Sequence, residues 1–474
     1  MITLTNVSFA YGNAEERVLD DVSLNVSTGE CVLLCGKSGC GKSTVLNLIN
    51  GIIPNHLEGM LTGTVTVNGV QPRDVRIQEL SAMVGSVFQN PKSQFFSLNS
   101  SDELLFACCN HRVSRQVMRE RLEETTETFN IAHLLNRNIF GLSGGEKQKL
   151  ACASVYMNRP DIYVFDEPSA NLDASAIQEL RQVILTLKNA GNTIVVAEHR
   201  LHYLLDIYDS VIYMESGKIA GRYSREAFVN IPEDERKQMG LRAIRKPILR
   251  DAQTQMEAVS SIIVETLTCR HGSKLAVQIE KLRLPKHKVI ALVGKNGAGK
   301  STFAAGFSGI HKATARIIDE KALSRRERLK RTFLVMQDVN HQLFTESVLD
   351  ELMLGRAFDD AELIEQAEAT LNQLNLLPWR DEHPQCLSGG QKQRTAIATA
   401  LFAQKSYLIF DEPTSGVDLI HMMRVAELIQ EIKDHVACVL VITHDVEFIN
   451  YCCEYVIELD AGRVINAYAL AVHP

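Results

Sequence analysis

No uninterrupted apolar run in this 474-residue chain exceeds the seven residues Val436 to Ile442. A helix that crosses a membrane needs ~18–20. The opening residues, Met1-Ile2-Thr3-Leu4, begin a strand-like segment without the basic region and apolar core of a secretory signal. The chain is therefore expected to stay in the cytosol, with any membrane-spanning part supplied by other subunits. Its eleven cysteines include no C-x-x-C pair, which argues against a zinc site or a disulfide framework and fits reduced thiols. Cys31 and Cys35 lie four apart on an expected strand, so they share a face and read as small buried hydrophobes. There is no basic excess either. A net charge of −7 argues against a nucleic-acid-binding surface. The one basic cluster, Arg325-Arg326-Glu327-Arg328-Leu329-Lys330-Arg331, reads as a solvated helix face.

What is present is ordinary in bulk and distinctive in detail. An apolar fraction of 45% and a charged fraction of 23% suit two or three globular domains. The segment Gly36-Lys37-Ser38-Gly39-Cys40-Gly41-Lys42-Ser43-Thr44 fits G-x-x-x-x-G-K-[ST] at every fixed position. It follows the apolar run Cys31 to Cys35 and leads into Thr44 to Ile49, so it reads as strand, loop, helix. Such glycines let several N–H groups and the positive end of the helix face one anion. Lys42 can then reach β- and γ-phosphates, and the Ser43 hydroxyl can ligate Mg²⁺.

The arrangement occurs twice. A second loop, Gly294-Lys295-Asn296-Gly297-Ala298-Gly299-Lys300-Ser301-Thr302, follows Val289 to Val293. Leu142-Ser143-Gly144-Gly145 recurs as Leu387-Ser388-Gly389-Gly390, Asp166-Glu167-Pro168 as Asp411-Glu412-Pro413, and His199 as His444. These three blocks are each 245 residues apart, a register that chance does not preserve. The repeat predicts two domains, 1–225 and 260–474, joined by a polar, charged linker over 226–259 that is part helix. In each half apolar strands alternate with helical segments, the pattern of a mostly parallel α/β sheet. An antiparallel region (Ile2 to Phe9, Val22 to Val26) is expected before the first loop, and helical insertions over Ser114 to Phe129 and Ala361 to Leu376.

Two apolar strands that end in Asp-Glu carry chemistry of their own. The aspartates, Asp166 and Asp411, can hold the water shell of the Mg²⁺ ligated by Ser43 or Ser301. The glutamates, Glu167 and Glu412, can polarise an attacking water. The Leu-Ser-Gly-Gly segments open helices (Glu146 to Val155, Gln391 to Leu401) whose bare N–H groups, with the Ser143 or Ser388 hydroxyl, suit an anion.

Taken together, loop, Leu-Ser-Gly-Gly, Asp-Glu-Pro and late histidine in fixed order resemble an ATP-binding cassette (ABC) ATPase with two cassettes fused in tandem. The resemblance covers nearly all of the chain except the linker. It implies two tandem P-loop domains, each with a mostly parallel core sheet, an N-terminal antiparallel β region and a helical subdomain. It also implies ATP and Mg²⁺, each ATP lying between the loop of one cassette and the Ser-Gly-Gly of the other. Site one would use Gly36 to Thr44, Gln89, Asp166, Glu167 and His199, with Ser388, Gly389 and Gly390. Site two would use Gly294 to Thr302, Gln337, Asp411, Glu412 and His444, with Ser143, Gly144 and Gly145. Gln89 and Gln337 would also face the metal. Asp173 and Asp418 match the aspartates that couple the two sites. Tyr11 matches the aromatic that stacks on adenine, and its counterpart is His271, which leaves adenine stacking at site two open. Both glutamates and both signatures are intact, so two hydrolytic sites are expected.

The glutamine loops narrow the resemblance. Gln89-Asn90-Pro91-Lys92-Ser93-Gln94-Phe95-Phe96 and Gln337-Asp338-Val339-Asn340-His341-Gln342-Leu343-Phe344 share Gln, four residues, Gln, then an apolar-aromatic pair. With Ala197-Glu198-His199-Arg200, they resemble the ATPases of energy-coupling factor (ECF) importers of vitamins and transition-metal ions. That implies a membrane T component, a substrate-binding S component, no nucleic acid, one copy per complex because the cassettes pair within one chain, and a place at the cytoplasmic face of the membrane. Sugar-importer ATPases and soluble tandem ATPases acting on the ribosome are the competing readings. The first usually carry one degenerate signature and the second a longer, basic linker. A chromosome-associated ATPase would need a long coiled coil, and none is present. Cys40 stands where the second loop has Ala298, so thiol reagents are expected to silence site one, with ATP protecting it.

Overall fold

The computed structural model describes residues 1–12, 16–170, 172–252, 260–357 and 359–471. Asn171 and residues 253–259 of the expected linker lie outside them. The chain divides into two compact units, Met1–Lys246 with Asp418–Ile420, and Pro247–Val417 with His421–Pro474.

The first unit runs β1 (Ile2–Tyr11), β2 (Leu19–Val26), β3 (Cys31–Gly36), β4 (Gly59–Val67), β5 (Val84–Val87), β6 (Ile162–Asp166), β7 (Thr193–Ala197), β8 (Ser210–Glu215) and β9 (Lys218–Ser224). Strands β2-β1-β4 form an antiparallel sheet, and β5-β6-β7-β3-β8-β9 a six-stranded sheet, parallel except at the β8–β9 edge. Strands β3 and β7 are buried at every residue and β6 at all but Asp166, as parallel strands covered on both faces must be. Alternate residues feed two cores. Val32, Leu34 and Val195 pack with Ile2, Phe9 and Val22 of the antiparallel sheet. Leu33, Phe165 and Val196, with Cys31 and Cys35, pack under the helical region. The two cysteines are small buried hydrophobes on one face, as their spacing predicts.

The second unit repeats this with β10 (Ser261–His271), β11 (Lys274–Pro285), β12 (Val289–Val293), β13 (Ala313–Asp319), β14 (Lys321–Ala322), β15 (Thr332–Val335), β16 (Tyr407–Asp411), β17 (Cys438–Ile442), β18 (Tyr455–Asp460) and β19 (Arg463–Ala469). The sheet orders, β11-β10-β13-β14 and β15-β16-β17-β12-β18-β19, match those of the first unit strand for strand apart from the added β14. The fold is α/β, two tandem P-loop domains each with an antiparallel sheet beside a mostly parallel one.

Each unit also carries a helical arm. In the first it comprises helices Ser100–Asn110, Arg115–Thr128 and Gly144–Tyr156; in the second, Val348–Met353, Ala361–Gln373 and Gly389–Phe402. Ser114 and Asp360 start the middle helices by accepting backbone N–H bonds in the first turn. The second of these stops at Gln373, three residues short of the expected end, because Asn375 takes a left-handed backbone.

Two stretches differ from expectation. Met239, Leu241 and Ile244, inside the stretch read as linker, are buried in the core of the first unit, and Tyr213 Oη donates to Met239 O at 3.1 Å. Phe228, in the same stretch, is buried in that core as well, and composition averaged over a largely charged segment hid these apolar residues. The basic cluster forms the helix Arg325–Arg331, but Arg328 is buried rather than solvated. Its guanidinium donates to Gly306 O and Phe307 O (2.8 Å) at the end of helix Lys300–Ser308. Carbonyls without intrahelical partners at a helix end suit a cation.

Candidate nucleotide sites

Each phosphate loop joins the end of a central strand to a helix: β3 to Lys42–Ile49, and β12 to Lys300–Ser308. Gly36 and Gly294 take φ near +148°, where a Cβ would stand 2.1 Å from Met214 O and 2.2 Å from Leu459 O. Only glycine fits there. Gly39, Gly41, Gly297 and Gly299 also have positive φ, and the loops curl so that Lys42 Nζ donates to Gly36 O and Lys37 O at 3.1 Å each. Lys300 Nζ donates to Gly294 O (2.7 Å) and Lys295 O (3.1 Å). Ser38 and Asn296 are exposed in the loops, whereas Cys40 and Ala298 are buried beneath them.

Behind each loop the Asp-Glu pair comes to meet it. Ser43 Oγ donates to Asp166 Oδ1 at 2.9 Å, and Ser301 Oγ to Asp411 Oδ2 at 2.6 Å. Burial and the neighbouring Glu167 charge push the Asp166 carboxyl up to about 6, against the Ser43 hydrogen bond and Lys42. Burial likewise raises Asp411. A serine hydroxyl facing solvent and a carboxylate oxygen beside it are hard oxygen ligands that fit Mg²⁺. Glu167 and Glu412 follow the strand with φ of +44° and +53°, held by N–H bonds to Ala197 O (2.9 Å) and Ile442 O (2.8 Å). Such backbones are strained for a side chain of this size.

Around the glutamates sit residues named from sequence, Gln89 and His199 at Glu167, and His444 at Glu412. Gln89 Nε2 donates to Glu167 Oε2 at 2.8 Å. His199 Nε2 lies 3.3 Å from Glu167 Oε1 and 3.4 Å from Lys42 Nζ. In the second unit Lys300 Nζ donates to His444 Nε2 at 2.9 Å, with Glu412 Oε1 3.7 Å away. Burial alone would raise the Glu167 carboxyl, but the His199 charge and hydrogen bond, with Lys42, hold it below the usual range. A carboxylate that stays ionised and touches a glutamine amide can accept a proton from water. Tyr11 Oη lies 3.1 Å from Thr44 Oγ1, and His271 Nε2 lies 3.3 Å from Thr302 Oγ1. The two rings occupy equivalent places beside their loops.

The signature helices are Gly144–Tyr156 and Gly389–Phe402, so both glycines lie in the first helical turn. The expectation of bare N–H groups needs correction. Ser143 Oγ accepts from Glu146 N (3.3 Å) while Glu146 Oε2 accepts from Ser143 N (2.8 Å). Ser388 and Gln391 make the same reciprocal pair. This capping box takes one donor of each first turn. The Gly144, Gly145, Gly389 and Gly390 N–H groups have no intrahelical acceptor.

Several residues take bonding roles here that their motifs alone do not assign. Glu198, buried before His199, accepts from Ser169 N, His199 N and Tyr203 Oη at 3.1, 2.8 and 3.0 Å, and so ties the strand-end turn to the histidine loop. In the second unit Thr414 Oγ1 and Asp445 Oδ2 (3.1 Å) make that link. Gln94 closes its loop onto β5 by accepting from Phe88 N and donating to Ser86 O. Gln342 does the same to Met336 N and Leu334 O. The paired glutamines with four residues between them are the signal for this closure. Cys40 is shielded: it is buried, its Sγ is 3.9 Å from Lys42 Nζ, and burial pushes its thiol pKa up. The expected ready attack by thiol reagents does not suit such a thiol.

Comparison with known proteins agrees with this geometry. Residues 19–170 and 278–415 match the ABC transporter family. A Treponema denticola protein, whose provisional name of ABC transporter ATP-binding protein carries no substrate, is 43% identical, covering 98% of this chain and 96% of its own. A second from that organism, named alike, is 37% identical, covering 99% and 97%. Among solved structures, a ribosome-bound archaeal Pelota and ABCE1 complex matches with a TM-score of 0.71 at 23% identity, covering 98% of this chain and 78% of that one. A structure named RNase-L Inhibitor matches with a TM-score of 0.66 at 22% identity, covering 98% and 90%. At such identity these two establish the fold. Among the described residues no helix is long and apolar enough to cross a membrane. The chain belongs to the ABC transporter family, as an ATPase with two cassettes in tandem that binds ATP with Mg²⁺.

Proposed function

We propose that this ATPase energises an ECF-type importer of a vitamin or a transition-metal ion, through a membrane T component and a substrate-binding S component at the cytoplasmic face of the cell membrane. One observation carries the reading. In both cassettes the loop that begins at the nucleotide site with Gln89 or Gln337 ends at an exposed aromatic, Phe96 at 75% and Phe344 at 68% exposure. A solvent-facing phenylalanine costs solubility and suits a partner's apolar surface. The transporter names of the relatives fit this reading, though none names a cargo.

In this reading residues 1–225 and 260–474 are the two catalytic domains, 226–259 joins them, and they pair within one chain. Lys42 and Lys300 hold the phosphates, with loop N–H groups from Gly36 to Thr44 and Gly294 to Thr302. Ser43, Asp166 and Gln89, and Ser301, Asp411 and Gln337, surround Mg²⁺, which supplies charge neutralisation on the β- and γ-oxygens. Glu167 and Glu412 take the proton from the attacking water, and His199 and His444 orient the γ-phosphate. Ser143, Gly144, Gly145, Ser388, Gly389 and Gly390 contribute N–H donors to the opposite cassette's nucleotide. Tyr11 takes the adenine of the first site.

A second reading is action on the ribosome. It draws on the whole-chain fold likeness to structures of that class, and the acidic net charge of −7 opposes it. Pull-down of the tagged chain from its native membranes separates the two. Recovery of a small polytopic subunit with a substrate-binding membrane protein supports the importer. Ribosomal proteins without a membrane subunit overturn it.

A further inference from the structure

Glu103 and Glu351 are 4% and 2% exposed, and among the described residues neither is seen in an ion pair. Burying a carboxylate costs several kcal/mol unless hydrogen bonds repay it. Here they come from main chain. Glu103 Oε2 accepts from Phe96 N (2.9 Å) and Ser97 N (2.7 Å). Glu351 Oε2 accepts from Phe344 N and Thr345 N at 3.1 Å each, and from Thr345 Oγ1 at 2.8 Å. Each glutamate therefore grips the backbone of the exposed aromatic and of the residue after it. The same grip occurs at the same place in both cassettes, each time from the glutamate of an Asp-Glu-Leu segment, seven residues after the exposed phenylalanine.

The grip joins the end of the glutamine loop to the helical arm. Glu103 belongs to helix Ser100–Asn110 of the helical arm. That arm is stitched to the approach of the signature: Ile139 N donates to Leu98 O and Ser100 N to Arg137 O, both at 2.9 Å. In the second cassette Val348 N donates to Glu382 O (3.0 Å), and Gln385 Nε2, two residues before the signature leucine, donates to Leu343 O (3.2 Å).

We propose that Glu103 and Glu351 are positioning residues that lock Phe96 and Phe344 to the signature-bearing arm, so that nucleotide-driven movement of the arm moves the partner-facing aromatic with it. The partner-facing role rests on the importer reading; the lock itself does not.

The test uses the full chain alone. An indole reporter is introduced by Phe96→Trp with Trp379→Phe, and hydrogen exchange of the 96–97 amides is followed beside its emission with and without MgATP. Glu103→Ala is expected to speed exchange of these amides about tenfold, the loss of two hydrogen bonds, and to abolish the ATP-dependent change in emission while ATP still binds. Glu103→Gln, whose amide oxygen still accepts both N–H groups, is expected to restore both signals. If Glu103→Ala keeps the parental exchange rate and ATP response, the proposal is wrong. Should that variant fail to fold, Glu351→Ala with Phe344→Trp in place of Phe96→Trp puts the same question to the second cassette. A positive optical result with no membrane subunit recovered in the pull-down keeps the lock and removes the importer.

Discussion

Gln393 Nε2 donates to the main-chain oxygen of Glu412 at 2.8 Å, tying the signature helix of the second cassette to its own strand-end glutamate. The counterpart in the first cassette, Gln148, is buried, and its Nε2 has no hydrogen-bond partner among the described residues. Gln393→Ala is therefore expected to lower steady-state kcat about tenfold, the value of one buried hydrogen bond at a reacting group. Gln148→Ala should stay near the parental rate. Equal losses in the two variants would show that the tether does not act on Glu412.

Glu167→Gln and Glu412→Gln should each keep ATP binding, measured by nucleotide-dependent thermal shift, and lose hydrolysis by about 10²–10⁴-fold, the range for a general base. Normal turnover in either variant would remove that glutamate from the chemistry.

Glu198→Ala leaves the Ser169 and His199 N–H groups and the Tyr203 hydroxyl without their acceptor. The cost should be about 2–4 kcal/mol of first-cassette stability, read from urea midpoints. Ala substitution at Asp445, where Thr414 donates in the second cassette, should cost less because fewer backbone donors are stranded.

Thiol chemistry separates exposed from buried sulfur. Cys109 and Cys386 are exposed and Cys40 is buried. Mass mapping after brief maleimide treatment should find the first two labelled and Cys40 unmodified, with ATPase activity retained. Rapid loss of activity that Cys40→Ala prevents would show that the loop opens far more than its burial implies.

Acid should weaken the second cassette through Asp319. Burial would raise its carboxyl, but Lys286 (2.5 Å), the Tyr407 hydroxyl and Arg331 hold it below the usual range. A carboxylate with a lowered folded pKa stabilises fully above its unfolded value of about 3.9, and that contribution fades as pH falls through the lower folded value. The parent should therefore lose stability as pH falls below about 4. Asp319→Asn should be weaker at neutral pH and flatter across that window.

Much of this molecule was readable from residue order. Two glycine loops after apolar strands, and Asp-Glu at the ends of β6 and β16, can be recognised because their backbones restrict which residues fit. The strand runs Ile162 to Asp166 and Cys438 to Ile442 were equally plain, since parallel strands buried on both faces leave unbroken apolar runs. What could not be read depends on distant partners. Arg328 looks like any surface arginine until the end of helix Lys300–Ser308 is placed over it. Glu103, Glu198 and Glu351 look like solvated carboxylates until folding brings backbone N–H groups to them. The caps of the signature helices follow the Ser-x-x-Glu and Ser-x-x-Gln spacing, yet they were read as anion sites because the same N–H groups serve both purposes.

The left-handed backbone at Glu167 and Glu412 has a thermodynamic corollary. Glycine adopts that conformation freely, and a bulkier residue there costs about 1 kcal/mol. Both positions would thus be occupied more comfortably by a residue with no side chain at all, and a screen for heat resistance alone would drift toward losing the carboxylates. Where hydrolysis is not selected, a cassette of this fold has a downhill path to becoming a nucleotide-binding part that no longer turns over.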